Sequence, residues 1–145
     1  MFTGEYHHTI DDKNRLAIPV PLRDTIDTNV EGKGFFITRG LDGCLFMFTP
    51  SSWHSVVSKI EQHSFADMKA RQFQRLFFSA AQKIPECDPQ GRILIPQILK
   101  DYAKIKKNVV IAGLNRRIEI WNEKSWNDFT SEYGKAYEEI AEGLF

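Results

Sequence analysis

Cysteine is nearly missing: the 145-residue chain has two, Cys44 and Cys87. They stand far apart, with no Cys-x-x-Cys or Cys-x-x-His spacing, which excludes a disulfide framework and a zinc ribbon and predicts buried free thiols, as in a reducing cytoplasm. Charge of one sign is missing too. Lys plus Arg and Asp plus Glu are 19 each, for a formal net charge of zero, so any affinity for nucleic acid must come from local charge and from repetition in an assembly. No apolar run approaches the roughly 18 residues that span a bilayer. The opening Met1-Phe2-Thr3-Gly4-Glu5-Tyr6 has no basic region followed by an apolar one, so neither export by a recognisable signal nor a membrane partner is expected.

Catalytic signatures are equally scarce. His7 and His8 are adjacent and would point to opposite faces of a strand, while His54 and His63 lie in helical context with no ligand spacing. There is no Gly-rich phosphate loop, nucleophile elbow or paired-carboxylate motif. Asp11-Asp12 alone is thin support for a metal-dependent nuclease, which needs several clustered acids. The expectation is therefore a non-enzyme with no catalytic residue, metal, cofactor or small-molecule substrate. A chain of this length is one compact unit or two very small ones, which excludes a large multi-domain enzyme.

What the sequence does have is an internal repeat. Residues 11–24, Asp-Asp-Lys-Asn-Arg-Leu-Ala-Ile-Pro-Val-Pro-Leu-Arg-Asp, lie over residues 88–101, Asp-Pro-Gln-Gly-Arg-Ile-Leu-Ile-Pro-Gln-Ile-Leu-Lys-Asp, with six identities in 14 positions. The match resumes at Gly40-Leu41-Asp42 against Gly113-Leu114-Asn115 and ends on Ser52-Trp53 against Ser125-Trp126. The chain reads as two copies of a unit of roughly 45 to 50 residues, each followed by helix.

The substitutions between copies are as informative as the identities. Asn14 stands over Gly91, and these two residue types enter the left-handed backbone region most readily, so both copies predict a turn with positive φ just before Arg15 and Arg92. Asp11 and Asp88 cap such turns through their side chains, and Pro89 presets the second. Arg15-Leu16-Ala17-Ile18 and Arg92-Ile93-Leu94-Ile95 then read as short buried strands stopped by Pro19 and Pro96, followed by one or two helical turns around Leu22 and Leu99. A hairpin follows in each copy. Phe35–Thr38 and Cys44–Phe48 flank Gly40-Leu41-Asp42-Gly43, and Val109–Ala112 and Ile118–Trp121 flank Gly113-Leu114-Asn115-Arg116. So few strands cannot close a core alone, so the two units must intertwine.

The rest reads as helix. Thr49-Pro50 starts one carrying Trp53, Val56, Val57 and Ile60 at helical spacing. A second is expected from near Phe65 to Ser79, burying Phe73, Leu76 and Phe77. A third, after Asn122, places Trp126, Phe129, Tyr133, Tyr137 and Ile140 on one face, a stripe that suits core or subunit contact. Eleven Phe, three Trp and four Tyr are more aromatic surface than a lone small chain readily hides, so subunits are expected to cover one another. The segments are expected at 5–51 and 81–124 for the two repeat units, 52–80 for a helical connector and 125–145 for a C-terminal helix.

The run Gly4-Glu5-Tyr6, His8, Ile10-Asp11, Lys13-Asn14-Arg15-Leu16, Ile18-Pro19 and Leu22-Arg23, with Asp88-x-x-x-Arg92 in the second half, resembles the MraZ family of bacterial transcriptional regulators. The resemblance extends over essentially the whole chain. It implies an α+β fold of two tandem pseudo-symmetric AbrB-like (SpoVT-AbrB) swapped-hairpin units forming one small barrel-like core, with peripheral helices. It also implies a ring-like homo-oligomer binding double-stranded promoter DNA with repeated short elements, commonly ahead of the division and cell-wall genes, in the cytoplasm and nucleoid.

The motif falls on Asp11 and Arg15 in the first copy and on Asp88 and Arg92 in the second. DNA contact is expected from Lys13, Asn14, Arg15 and Arg92, the first copy carrying more weight, and turn formation from Asp11, Asn14, Asp88 and Gly91. An arginine on a rigid turn can bond two acceptors on a guanine edge or clamp a phosphate, and Lys13 adds a point charge. The plainer alternative is that each Asp and Arg simply pair and hold the turn. Lys100, Lys104, Lys106 and Lys107 with Arg116 and Arg117 form a second basic concentration, either a solvated face or an auxiliary phosphate or subunit contact. Residues 1–40 hold five Lys or Arg against six Asp or Glu, so one turn should bind weakly and a ring would combine several. Directly repeated sites about 10 base pairs apart follow from the helical repeat of DNA. The competing function is a ring-forming interaction scaffold or antitoxin-like module whose turns are purely architectural.

Overall fold

The two copies exchange their leading strands. In the computed structural model, which describes residues 1–145, the first copy supplies β1 (Phe2–Thr9), β2 (Arg15–Ala17), α1 (Val20–Arg23), α2 (Thr28–Glu31), β3 (Phe35–Arg39) and β4 (Leu45–Phe48). Two helices follow, α3 (Pro50–Glu61) and α4 (Met68–Ser79). The second copy supplies β5 (Gln82–Ile84), β6 (Arg92–Leu94), α5 (Gln97–Tyr102), β7 (Asn108–Asn115) and β8 (Arg117–Asn122). The chain ends with α6 (Glu123–Tyr133), a 3-10 turn (Gly134–Ala136) and α7 (Tyr137–Ala141).

The strands form an open six-stranded antiparallel sheet in the order β1-β7-β8-β4-β3-β5 and a separate antiparallel pair, β2-β6. β1 of the first copy pairs along its whole length with β7 of the second, Phe2 opposite Asn115 and Thr9 opposite Asn108. Reciprocally, β5 of the second copy pairs with β3 of the first, Phe35 opposite Ile84. The hairpins meet at β4 and β8, Leu45 opposite Ile120. In the small pair Leu16 faces Ile93, and it is sealed by cross-copy bonds from the Ile18 N–H to the Gly91 carbonyl (2.9 Å) and from the Ile95 N–H to the Asn14 carbonyl (2.8 Å).

Period-two alternation divides the sheet into two faces. Ile37, Leu45, Met47, Ile111, Ile118 and Ile120 point one way and pack with Leu16, Ile18, Leu22, Ile93, Ile95 and Leu99 in a single 19-residue cluster. Every one of these twelve is essentially inaccessible to water, and because they come from both copies, neither copy has a core without the other. The opposite face is aromatic. Phe36 stacks on Trp53 at 4.9 Å and Trp53 on Phe77 at 5.6 Å, while Trp121 meets Trp126 edge-on at 5.4 Å. Helices α3 and α4 therefore cover one half of this face and α6 the other. Their starts are capped as the sequence dictates: Thr49 accepts from the Ser52 N–H, Asp67 from Ala70 and Asn122 from Ser125.

The structure corrects several sequence expectations. α4 starts at Met68 rather than near Phe65, because Asp67 caps it. Of the three residues expected to be buried there, only Phe77 is; Phe73 is 39% and Leu76 58% exposed. The C-terminal stripe is not one helix face, since the 3-10 turn at Gly134–Ala136 interrupts it and leaves Tyr137 and Ile140 exposed. Cys44 is buried but Cys87 only partly so, and both are free thiols. Burial among apolar atoms pushes the Cys44 thiol far above its ordinary pKa, away from reactivity.

Candidate nucleic-acid interface

Each Asp-x-x-x-Arg segment is a turn wound around its own carboxylate. Oδ1 of Asp11 accepts from the backbone N–H of Lys13 (2.9 Å) and of Arg15 (2.8 Å), and Oδ2 accepts from Nε of Arg15 (2.8 Å). Asp88 repeats the pattern on the N–H groups of Gln90 (2.9 Å) and Arg92 (2.8 Å) and on Nε of Arg92 (2.8 Å). The backbone closes on itself in both copies, Asn14 N–H to the Asp11 carbonyl and Gly91 N–H to the Asp88 carbonyl. The residue before each arginine is left-handed, φ 62° at Asn14 and 76° at Gly91. The carboxyls of Asp11 and Asp88 are both held below the ordinary value of 3.8, chiefly by the bond from the arginine backbone N–H and further by the guanidinium.

This grip leaves part of each guanidinium unused. Arg15 spends Nε on Asp11, and its two Nη groups make no hydrogen bond within the chain; the side chain remains 36% exposed. Arg92 is more engaged: Nη2 reaches Gln90 Oε1 at 3.4 Å and Nη1 lies 3.8 Å from Asp11 Oδ2. The two turns are thus neighbours, sharing Asp11. A guanidinium anchored by Nε and free at both Nη groups is pre-organised to offer two parallel donors to an acceptor pair such as a guanine edge or a phosphate.

The helix after each strand reaches across to the other copy's turn. Lys100 of α5 donates from Nζ to Asn14 Oδ1 (2.9 Å), and Asn14 Nδ2 donates to Gln97 Oε1 (3.0 Å). At the equivalent place in the other half, Arg23 of α1 donates from Nε to the Ile18 carbonyl (2.9 Å) and lies over Gly91, where an added Cβ would come within 2.6 Å of its guanidinium. Lys100 thus belongs to the turn region rather than to a separate basic face. Arg23 escaped the site reading altogether. The signal was present in the repeat, which lays Arg23 over Lys100, a cation in both copies.

Arg116 and Arg117 are not brought to this end. They follow β7, whose opposite end adjoins the turns through the Ile10 N–H bond to the Lys107 carbonyl, so seven strand residues, about 24 Å, intervene. Arg116 lies 3.6 Å from Glu31, and Arg117 donates to Glu119 at 3.0 Å while covering the Phe46 ring. His7 pairs with Glu5 at 2.8 Å, and this bond, with Glu123 beside it, raises its pKa. No three His, Cys, Asp or Glu side chains converge as a metal site, and no helix is long and apolar enough to cross a membrane.

Comparison with known proteins agrees with this duplicated architecture. Residues 1–76 and 77–144 each match the family described as "MraZ protein, putative antitoxin-like". The chain is 45% identical over 144 residues to the transcriptional regulator MraZ of Carboxydothermus hydrogenoformans, covering 99% of this chain and 96% of that one. It is 44% identical to the protein of the same name from Moorella thermoacetica and 42% to that of Lactobacillus gasseri, with the same coverage in the first case and full-length similarity in the second. The chain belongs to the MraZ family.

Proposed function

We propose that this chain is a transcriptional regulator that binds double-stranded promoter DNA in a sequence-specific way, with no catalytic step. The observation that carries the reading is the Arg15 guanidinium, fixed through Nε by Asp11 while both Nη groups are without a partner. Lys13 and Asn14 belong to the same surface, Arg92 extends it from the second turn, and Asp11, Asn14, Asp88 and Gly91 shape the two turns. Arg23 and Lys100 stand behind them as further cations. Arg116 and Arg117, at the far end of β7, serve only as auxiliary contacts in an assembly.

The fold underneath is a tandem pair of AbrB-like swapped hairpins around one barrel-like core, with units at 5–51 and 81–124 and helical segments at 52–80 and 125–145. Exchange of β1 and β5 supports that reading. Because the chain has no net charge, affinity comes from a ring-like homo-oligomer that presents several turn pairs to short repeats about one helical turn, roughly 10 base pairs, apart. The target is the promoter of its own gene and of the division and cell-wall cluster, and the protein acts in the cytoplasm at the nucleoid. Arg15→Ala should weaken binding by about 1 to 3 kcal/mol per lost contact at matched salt, read by mobility shift on that promoter. A specific observation keeps a scaffold or antitoxin-like reading in view: each Asp is fully used inside its own turn. Wild-type affinity in the Arg15 variant would favour it.

A further inference from the structure

Two surfaces of this chain have no partner within it, and they are complementary in shape and charge. The first lies on the helical face of the sheet, where Leu41, Phe46, Val56, Ile60, Phe73 and Arg117 line an open apolar groove of about 330 Å3. α4 extends it outward with Met68 and Leu76, 61% and 58% exposed. Its rim is cationic. α4 carries Lys69, Arg71 and Arg75 with no acid between Met68 and Ser79, Lys59 stands close by, and Lys59, Lys69 and Arg75 make no ion pair in the chain.

The second surface is the C-terminal arm. After the 3-10 turn, α7 projects from the body, its substantial contacts confined to that turn. Tyr137, Ile140 and Leu144 recur at helical spacing and are 73%, 51% and 74% exposed. Glu138, Glu139 and Glu142 lie among them, none in an ion pair, and Lys135 is the only cation from 128 to 145. An amphipathic acidic arm and a basic-rimmed apolar groove on one molecule are each an exposed apolar patch of the kind that marks an interaction site.

We propose that residues 137–145 of one copy seat in the α3–α4 groove of a second copy, joining copies head to tail. The proposal rests on the homo-oligomer reading above and names its junction. Two different patches meeting make a heterologous contact, which closes into a ring or runs on as a filament. The opposed charges steer the arm and fix its polarity, since arm against arm and groove against groove would set like charges together. The groove lies on the face of the sheet away from β2 and β6, so the junction leaves each Arg15 and Arg92 pair uncovered.

The test is light scattering on the full chain at fixed protomer concentration, with circular dichroism confirming that each variant folds. Tyr137→Asp with Ile140→Asp disables the arm, and Met68→Asp with Leu76→Asp disables the groove; all four side chains are exposed, so the core is untouched. Each double variant alone should fall to the 16.8 kDa protomer mass. Mixed in equal amounts, they should form a dimer of twice that mass and nothing larger, because one intact arm and one intact groove remain. Arg75→Glu should loosen assembly, and Glu139→Lys added to it should restore it at least in part. Either double variant assembling like the wild type, or the mixture staying monomeric, overturns the junction while the homo-oligomer reading stands. A monomeric wild-type protein overturns both.

Discussion

Replacing Asp11 with alanine removes three hydrogen bonds at once, from the N–H groups of Lys13 and Arg15 and from Nε of Arg15. The side chains involved are about a third exposed, so water compensates in part and the three do not add in full. The closest precedent is loss of a helix N-cap, about 0.5 to 2 kcal/mol, to which a solvent-screened ion pair adds at most about 1. A loss near 2 kcal/mol corresponds to a fall in Tm of about 4 to 8 °C for a chain of this size. Asp11→Asn keeps an acceptor for the two backbone N–H groups and loses the charge, so it should cost about half as much. The assay is thermal and urea unfolding at one fixed protomer concentration, because assembly couples to stability. If alanine is as stable as the wild type within about 0.3 kcal/mol, or if asparagine is as damaging as alanine, the carboxylate does not organise the turn as described.

Gly91→Ala forces a Cβ into the left-handed region at φ 76° and against Arg23, costing about 1 to 2 kcal/mol of stability by unfolding; an unchanged value would show that the turn relaxes. Acid should release both turns. The Asp11 and Asp88 carboxyls are depressed in the folded chain, so the unfolded state takes up protons first, and the contribution is whole above the ordinary value of 3.8 and lost as pH falls through the lower folded values. Tm measured from pH 5 to 2 should therefore drop less steeply in the Asp11→Asn, Asp88→Asn double variant than in the wild type. Equal slopes would contradict the depressed values. Log affinity for DNA should fall steeply with log salt, at a slope set by the phosphates contacted, and a flat response would favour the scaffold reading.

The parts of the fold legible in sequence were those whose chemistry is local. Asn14 over Gly91 announced positive φ, and the observed 62° and 76° agree. Pro19 and Pro96 marked the strand ends, and Thr49-Pro50 and Asn122 the helix starts. The need for two intertwined units was legible as well, because neither copy carried enough strands for a core. Which strand crossed to which hairpin was not. β5 is three residues, Gln82–Ile84, with a largely polar, exposed pattern, and only its pairing to β3 makes it a strand. Exposure of Phe73 and Leu76 escaped detection because helical spacing records that a side chain is apolar without recording what covers it. At the site, the residue types were readable, but the reach of Lys100 to Asn14 spans 86 positions and appears only once the copies interlock.

The account stands most directly on one binding measurement: anisotropy titration of the promoter upstream of the protein's own gene at matched salt, with wild type, Arg15→Ala and Arg15→Lys. The account predicts a loss of about 5- to 150-fold per contact for alanine and a loss for lysine as well, since an ammonium cannot present two parallel donors, with oligomer mass unchanged in both. Alanine binding as tightly as the wild type to that DNA would contradict it.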